Sequence, residues 1–289
     1  MLKQRLGGVV VVKDNLCVQS IGFHKYLPIG KPEIAVEFLN KWGIDEIIYL
    51  DISATKKGLK PDFETIKYIS RKCFVPLTVG GGINSVSDMQ KLVRFGADKV
   101  AINSAVLKSP ELVNKAAAVL GNQCIVVSID IKLVKGKYHV ISYLGLQIVE
   151  KDPVKWAQIL AKLGAGEILL NSIDRDGSAK GFDLDLVHKI TNCVNIPVVA
   201  CGGAGNPDDF SKAFTIGKAN CAAAANFFHF TEHSVITTKA YLKKKGIDLR
   251  IDTQADYQSF EFDDTGSIAK MSDSYLAEQR FKYCPPETI

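Results

Sequence analysis

Aspartates at the ends of apolar runs are the residues of this chain best suited to chemistry. Asp130 closes the run CIVVSID, Asp51 closes EIIYLD, and Asp174 and Asp176 sit in SIDRDG. A partly buried aspartate near other carboxylates has its pKa raised toward neutral, which suits a general acid or base. For Asp51 and Asp174, turn or helix-cap chemistry is an equal reading. Two glycine-rich turns offer a second kind of chemistry. Val79-Gly80-Gly81-Gly82 is followed one strand later by Asn103-Ser104, and Gly202-Gly203 is followed by Ala225-Asn226. Backbone N–H groups in such turns point at an anion, and a following helix N-terminus adds partial positive charge. With Asp176 and Gly177 beside the second, the pair predicts a ligand carrying a phosphate at each end. The alternative is that glycine merely makes tight turns. The string His229-Phe230-Thr231-Glu232-His233 has the H-x-x-E-H zinc pattern. It opens a helix and lacks a distant third ligand, so it reads as structural histidines with Thr231 and Glu232 as caps. No metal or cofactor is expected.

The elements that position these residues come in two similar sets. IIYLDISA, PLTVGGGIN and GADKVAINSAV are echoed by EILLNSIDRDG, PVVACGGAGN and GKANCAAAANFF. The offset of ~120 residues is too long for a solenoid unit and matches half of a (β/α)₈ barrel. Apolar runs predict strands near 6–13, 47–51, 75–79, 98–103, 124–130, 167–172, 197–201 and 220–225. Helical patterns lie near 31–42, 61–71, 86–95, 109–119, 153–164, 183–192, 207–216 and 235–245. The expected fold is α/β: a TIM barrel over 1–250, built from two half-barrel repeats, followed by a C-terminal extension, 251–289. Catalytic groups on such a barrel sit at the C-terminal strand ends. The repeat assigns Asp130 a counterpart in GVVVVKD, and that counterpart is Val11.

Composition narrows the function classes. Of 289 residues, 47% are hydrophobic and 23% charged, which suits a globular chain with a large core. A net charge of +5 without a basic block favours small anionic substrates over nucleic acid. The apolar stretch at the start is too short for a signal peptide or membrane span. Seven scattered cysteines suggest reduced thiols and a cytoplasmic location. The tail mixes acidic and aromatic residues, among them Phe260, Phe262, Tyr275, Phe281 and Tyr283. Disorder and docking onto the barrel or a partner are both open for it.

Over roughly residues 1–250 the chain resembles the cyclase subunit of imidazole glycerol phosphate synthase. GIDEIIYLDISA, PLTVGGGI, GADKVAINSA, CIVVSID, GAGEILLNSIDRDG, CGGAGN and FFHF carry the resemblance. It implies a glutaminase partner that makes ammonia at the barrel floor. The ammonia would cross the barrel core and attack a bisphosphorylated intermediate at the top, with aspartates ending the first and fifth strands as acid and base. The fifth-strand aspartate falls on Asp130, but the first falls on Val11, which transfers no proton. A lysine of the following loop falls on Gln19, and a sixth-strand threonine on Asn171. A ring of four charges that the family uses as an ammonia gate falls on Arg5, Glu46, Lys99 and Glu167. Asp98 and Gln123 match positions facing the glutaminase.

Ammonia intake kept and ring closure impaired resembles the divergent paralogues that serve surface-polysaccharide amidotransferases. In those, a third protein amidinates a sugar. The loop QSIGFHKYLPIGKP also resembles that subgroup. No glutaminase nucleophile elbow is present in the chain, and Cys201 lacks the preceding glycine of that motif. Two alternatives stand beside an ammonia-supplying subunit. One is a true cyclase of histidine biosynthesis, and the other a non-catalytic activator of a glutaminase that senses a phosphorylated ligand.

Overall fold

The computed structural model describes residues 3–142, 147–149, 151–230, 233–251, 261–263, 265–269, 272 and 274. Its strands are β1 (Arg5–Lys13), β2 (Leu16–Ile21), β3 (Lys25–Gly30), β4 (Glu46–Asp51), β5 (Leu77–Gly80), β6 (Lys99–Ile102), β7 (Ile125–Val134), β8 (Lys137–Ser142), β9 (Gln147–Val149), β10 (Glu167–Ser172), β11 (Val198–Cys201) and β12 (Cys221–Ala224). Eight of them pair in parallel in the order β1-β4-β5-β6-β7-β10-β11-β12. β12 then pairs back with β1, Arg5 opposite Cys221, and the barrel closes. Each expected helix follows its strand, from Pro32–Lys41 to Ser234–Lys244.

Both faces of these strands are buried, which is why their runs are apolar without alternation. One set of side chains packs under the helices; Val10, Ile47, Leu77, Ile168 and Leu170 belong to it. The alternate set fills the barrel interior: Val9, Ile48, Ala101, Val126, Leu169, Val199, Cys221 and Ala223. Along β10 the alternation places Glu167 at the floor, Leu169 midway and Asn171 at the top, all on the inner face.

The sequence reading ends the fifth barrel strand at Asp130; the structure continues β7 to Val134 and folds it back as β8. β1 does the same through β2. Both hairpins turn on two residues with positive φ, Asp14-Asn15 (53° and 65°) and Lys135-Gly136 (48° and 76°). Two positive-φ centres are the signature of a type I′ turn, whose twist matches the flanking strands. The half-barrel repeat thus extends to its hairpins. Short helices absent from the sequence reading also cap strand ends: Ile52–Lys57, Ser104–Lys108 and Asn226–His229.

Beyond the last helix, Phe262 bridges Ile268, and Asp263 Oδ1 accepts from the N–H groups of Thr265 and Ser267. Gly266 lies against the helix Ser234–Lys244. A β-carbon there would sit 2.8 Å from Tyr241 Cβ and 2.9 Å from Thr237 O. This piece of the extension docks on the barrel. Phe260, Tyr275, Phe281 and Tyr283 lie outside the described residues.

Candidate active site at the barrel mouth

Asp130 enters the mouth from β7, with Asn171 opposite it on β10. In the other half of the barrel, Val11 on β1 faces Leu50 on β4. The two pairs occupy equivalent places, so one wall of the mouth is polar and the other aliphatic. The Asp130 carboxylate accepts from Asn103 Nδ2 at 2.7 Å and from Asn171 Nδ2 at 2.8 Å, one amide on each oxygen. Asn171 Nδ2 also reaches Ser128 Oγ at 3.1 Å. Burial pushes the Asp130 carboxyl up to about 6; the two amides pull it down in part, and Asp176 adds to the rise. The group is poised for proton transfer near neutral pH.

That shift has a consequence for stability. The folded-state pKa lies above the ordinary value of 3.8, so the native state prefers the neutral acid. The stability this contributes is present below that value and is lost as pH rises through about 6. The loss amounts to about 2–3 kcal/mol. We expect Asp130→Asn to flatten the pH dependence of urea unfolding over this window. An unchanged slope in the variant would refute the assignment.

The other carboxylates have structural tasks. Asp51 caps the helix Ile52–Lys57, its Oδ1 accepting from the N–H groups of Ser53 and Ala54 at 2.9 and 3.1 Å. Asp174 Oδ2 accepts from Leu133 N at 2.7 Å and ties down the β7 hairpin. Asp176 Oδ2 accepts from Ser20 Oγ at 2.6 Å and from Phe23 N at 3.2 Å. It thereby pins the β2–β3 turn over the mouth, where Phe23 lines both mouth cavities. Tyr26, at about 12, and Cys201, likewise at about 12, both raised by burial first, stay protonated. Cys201 is no thiolate nucleophile.

Two cavities flank Asn171, which lines both. One, of about 700 Å³, is lined by Gly82, Asn103, Ser104, Lys56, Lys108 and Asp130. The other, of about 300 Å³, is lined by Asp176, Gly177, Gly203, Ala225, Asn226 and Gln19. The sequence-predicted phosphate residues therefore divide between them as the repeat requires. Gly81 and Gly203 have φ of 111° and 109°, and a β-carbon on either would lie 2.2 Å from a carbonyl oxygen, of Asp51 and Gly181 respectively. Only glycine fits there. Some donors in the cups already have partners: Gly82 N donates to Thr55 Oγ1, and Asn226 Nδ2 to Ser20 O. Asn103 spends its amide on Asp130. Asn226 Oδ1 is buried without a partner.

We expect Gly203→Ala to destabilise the fold by about 1–3 kcal/mol and to lose inorganic phosphate from the smaller cavity alone. Denaturant unfolding and phosphate soaks read the two effects. Full retention of both would show that the turn has room to spare.

At the opposite end of the barrel, four charges close a ring. Arg5 Nη1 meets Glu46 Oε2 at 2.6 Å, and Arg5 Nη2 meets Glu167 Oε1 at 2.5 Å. Lys99 Nζ meets Glu167 Oε2 at 2.5 Å and Glu46 Oε2 at 3.7 Å. Both glutamates are buried; both cations are partly exposed to the floor. Asp98 and Gln123 are exposed nearby at the starts of β6 and β7. Both histidines of the zinc-like string are described, and His233 is the N-cap residue of the helix Ser234–Lys244, its carbonyl accepting from Thr237 Oγ1 at 3.0 Å. His229 Nε2 lies 3.3 Å from Val9 O, and burial lowers its pKa. No metal-binding cluster occurs among the described residues, and Thr231 and Glu232 fall outside them.

A family model described as "Histidine biosynthesis protein" matches residues 5–234. The chain belongs to this family. A "Putative imidazole glycerol phosphate synthase subunit hisF2" of Vibrio vulnificus (strain YJ016) is 40% identical over 266 residues, covering 92% of this chain and 98% of the relative. An "Imidazole glycerol phosphate synthase subunit HisF" of Clostridium botulinum (strain Okra / Type B1) is 41% identical over 253 residues, 87% of this chain and all of the relative. Its namesake in Geobacillus kaustophilus (strain HTA426) is 40% identical over 252 residues, 86% of this chain. This member of the histidine biosynthesis family is therefore a HisF-like barrel, similar along most of its length to HisF subunits of imidazole glycerol phosphate synthase. No helix among its described residues is long and apolar enough to cross a membrane.

Sequence reasoning missed the amide clamp on Asp130 and the lid position of Phe23. From the sequence, Asn103 reads as a phosphate-turn residue and Asn171 as a departure from a family threonine. Their joint hold on one carboxylate depends on β6, β7 and β10 lying side by side.

Proposed function

We propose that this barrel is the ammonia-conducting subunit of a cytoplasmic glutamine amidotransferase complex. A separate glutaminase would dock on the floor around Arg5, Glu46, Asp98, Lys99, Gln123 and Glu167. The single observation that carries this is the closed charge ring beneath an apolar interior, under a mouth with one proton-transfer carboxylate instead of two. A buried ion ring is no source of net stability over well-packed apolar residues. Its retention argues for a task at that end. Neutral ammonia can cross an apolar interior; ammonium cannot.

At the mouth, the two glycine-turn cavities would hold a small phosphorylated ligand by its two ends, with Asp130 between them. With Val11 opposite, ring closure by paired acid and base lacks a partner. The product of the complex is then made elsewhere: a third protein would activate the amide oxygen of an N-acetyl sugar with a nucleoside triphosphate, and ammonia would displace the activated oxygen to give the amidine, for a surface polysaccharide of the lipopolysaccharide O-antigen type. A Vibrio vulnificus relative whose name separates it from the ordinary subunit supports divergence of this sort.

A second reading is a working cyclase of histidine biosynthesis. It is favoured by the poised Asp130 and by the intact glycine turns. Reconstitution separates the readings. Purified chain, its candidate glutaminase and glutamine are supplied either with the bisphosphorylated cyclase substrate or with the third protein, a nucleoside triphosphate and the nucleotide-linked N-acetyl sugar. Amidinated sugar without imidazole product supports the proposal. Imidazole product at the rate of an ordinary cyclase overturns it. Glutamine hydrolysis stimulated by phosphorylated ligand with no aminated product in either mixture would point instead to a non-catalytic activator.

A further inference from the structure

We propose that a groove on the barrel flank, separate from the mouth, binds a small phosphorylated anion of nucleotide size. A cavity of about 490 Å³ lies between β8 and the helices Pro153–Lys162 and Leu184–Thr191. That volume falls in the range of small-ligand sites. Lys137, His139, Lys151 and Lys189 border it. Asp152 is the one carboxylate lining it among the described residues, and its Oδ1 accepts from Lys155 N to cap the helix.

None of the three lysines pairs with a carboxylate among the described residues. Some lysines elsewhere on the surface do, such as Lys57 with Asp14, Lys72 with Glu37 and Lys212 with Asp208, while Lys67 and Lys91 rest on aromatic rings. Two of the groove lysines rest on aromatic faces instead. Lys151 Nζ is 4.2 Å from the Trp156 ring centre, and Lys189 Nζ is 5.2 Å from that of Tyr138. The Tyr138 hydroxyl donates to Asp183 Oδ1 at 2.9 Å, which fixes its ring in the groove wall. Three lysines bordering a wall of Tyr138, Val154 and Leu186 suit an anion with a flat apolar part: phosphates on the lysines, a base against the wall. An acidic protein segment would meet the same charges, but the volume of about 490 Å³ and the apolar patch on the wall fit a small molecule.

The test is lysine acylation footprinting of the full chain, read by mass spectrometry, with ADP and separately with inorganic pyrophosphate. The expected result is protection of Lys137, Lys151 and Lys189, with Lys212 and Lys67 unchanged. Lys56 and Lys108 line the larger mouth cavity, so protection confined to them would place the ligand in the mouth and overturn the proposal. ADP protecting better than pyrophosphate assigns part of the recognition to the base; equal protection assigns it to phosphate alone. Lys151→Gln and Lys189→Gln should each weaken ADP binding by roughly tenfold without moving the melting temperature. Unchanged labelling at millimolar ADP, or protection by a polyglutamate peptide and not by ADP, would also overturn it.

Discussion

Purified chain given free ammonium and the bisphosphorylated cyclase substrate should form imidazole glycerol phosphate some 10²–10⁴ times more slowly than a relative with both strand-end aspartates. The factor is the usual worth of one positioned proton-transfer group. Val11 cannot act as acid or base, and among the described residues Asp176, which lines the same cavity, is engaged by Ser20 and Phe23. Leu50 is its neighbour across the β1–β4 ladder. Tyr26 is held at about 12 and hydrogen-bonded to Phe23 O. Cys201 stays a thiol. Gln19, where the resemblance implies a lysine, lines the smaller cavity and brings no charge. Val11→Asp alone should restore little, because Leu50 leaves the new carboxylate without the amide partners that Asp130 has in Asn103 and Asn171. The measurement is steady-state product formation at saturating ammonium. Turnover within a fewfold of an ordinary cyclase would sink the reading of the mouth as half-equipped.

Lys99→Glu should separate glutamine-dependent from ammonium-dependent output. Lys99 lies between Glu167 and Glu46, at 2.5 and 3.7 Å. Reversal puts a third negative charge in a ring balanced at two against two, with two buried glutamates facing it. Delivery of ammonia from a docked glutaminase should fall roughly 5–150-fold, the span of an ordinary coupling energy. Output from added ammonium, which bypasses the floor, should hold. Lys99→Met removes the charge without adding repulsion and gives a control for stability. If both variants melt as the parent does and deliver ammonia as well, the ring is not the way in. Asp98→Lys tests the rim in the same assay: it should weaken glutaminase binding while leaving the ring closed.

The order of strands and helices was legible in the sequence because each element carries its own signal. Buried parallel strands read as unbroken apolar runs, and helix starts such as Pro32, Ser109-Pro110 and Asp152-Pro153 are local chemistry. The half-barrel repeat made closure predictable and exposed Val11 as the counterpart of Asp130. Gly81 and Gly203 were legible too, since a residue without a β-carbon announces a backbone that needs none.

What a residue does once several strands meet was not legible. Asp51 and Asp130 each follow an apolar run, yet one caps its own helix and the other stands in the mouth. The difference is Asn103 and Asn171, which come from neighbouring strands and have no sequence proximity to Asp130. Arg5, Glu46, Lys99 and Glu167 could be named from a resemblance. That they close into one alternating ring follows from barrel closure, which brings β1 and β10 ends within reach across 162 positions. The sequence by itself determined the elements, their order and the loss of one carboxylate. Tertiary structure alone decided the protonation of the carboxylate that remains, because its pKa is set by burial and by donors that only the closed barrel assembles.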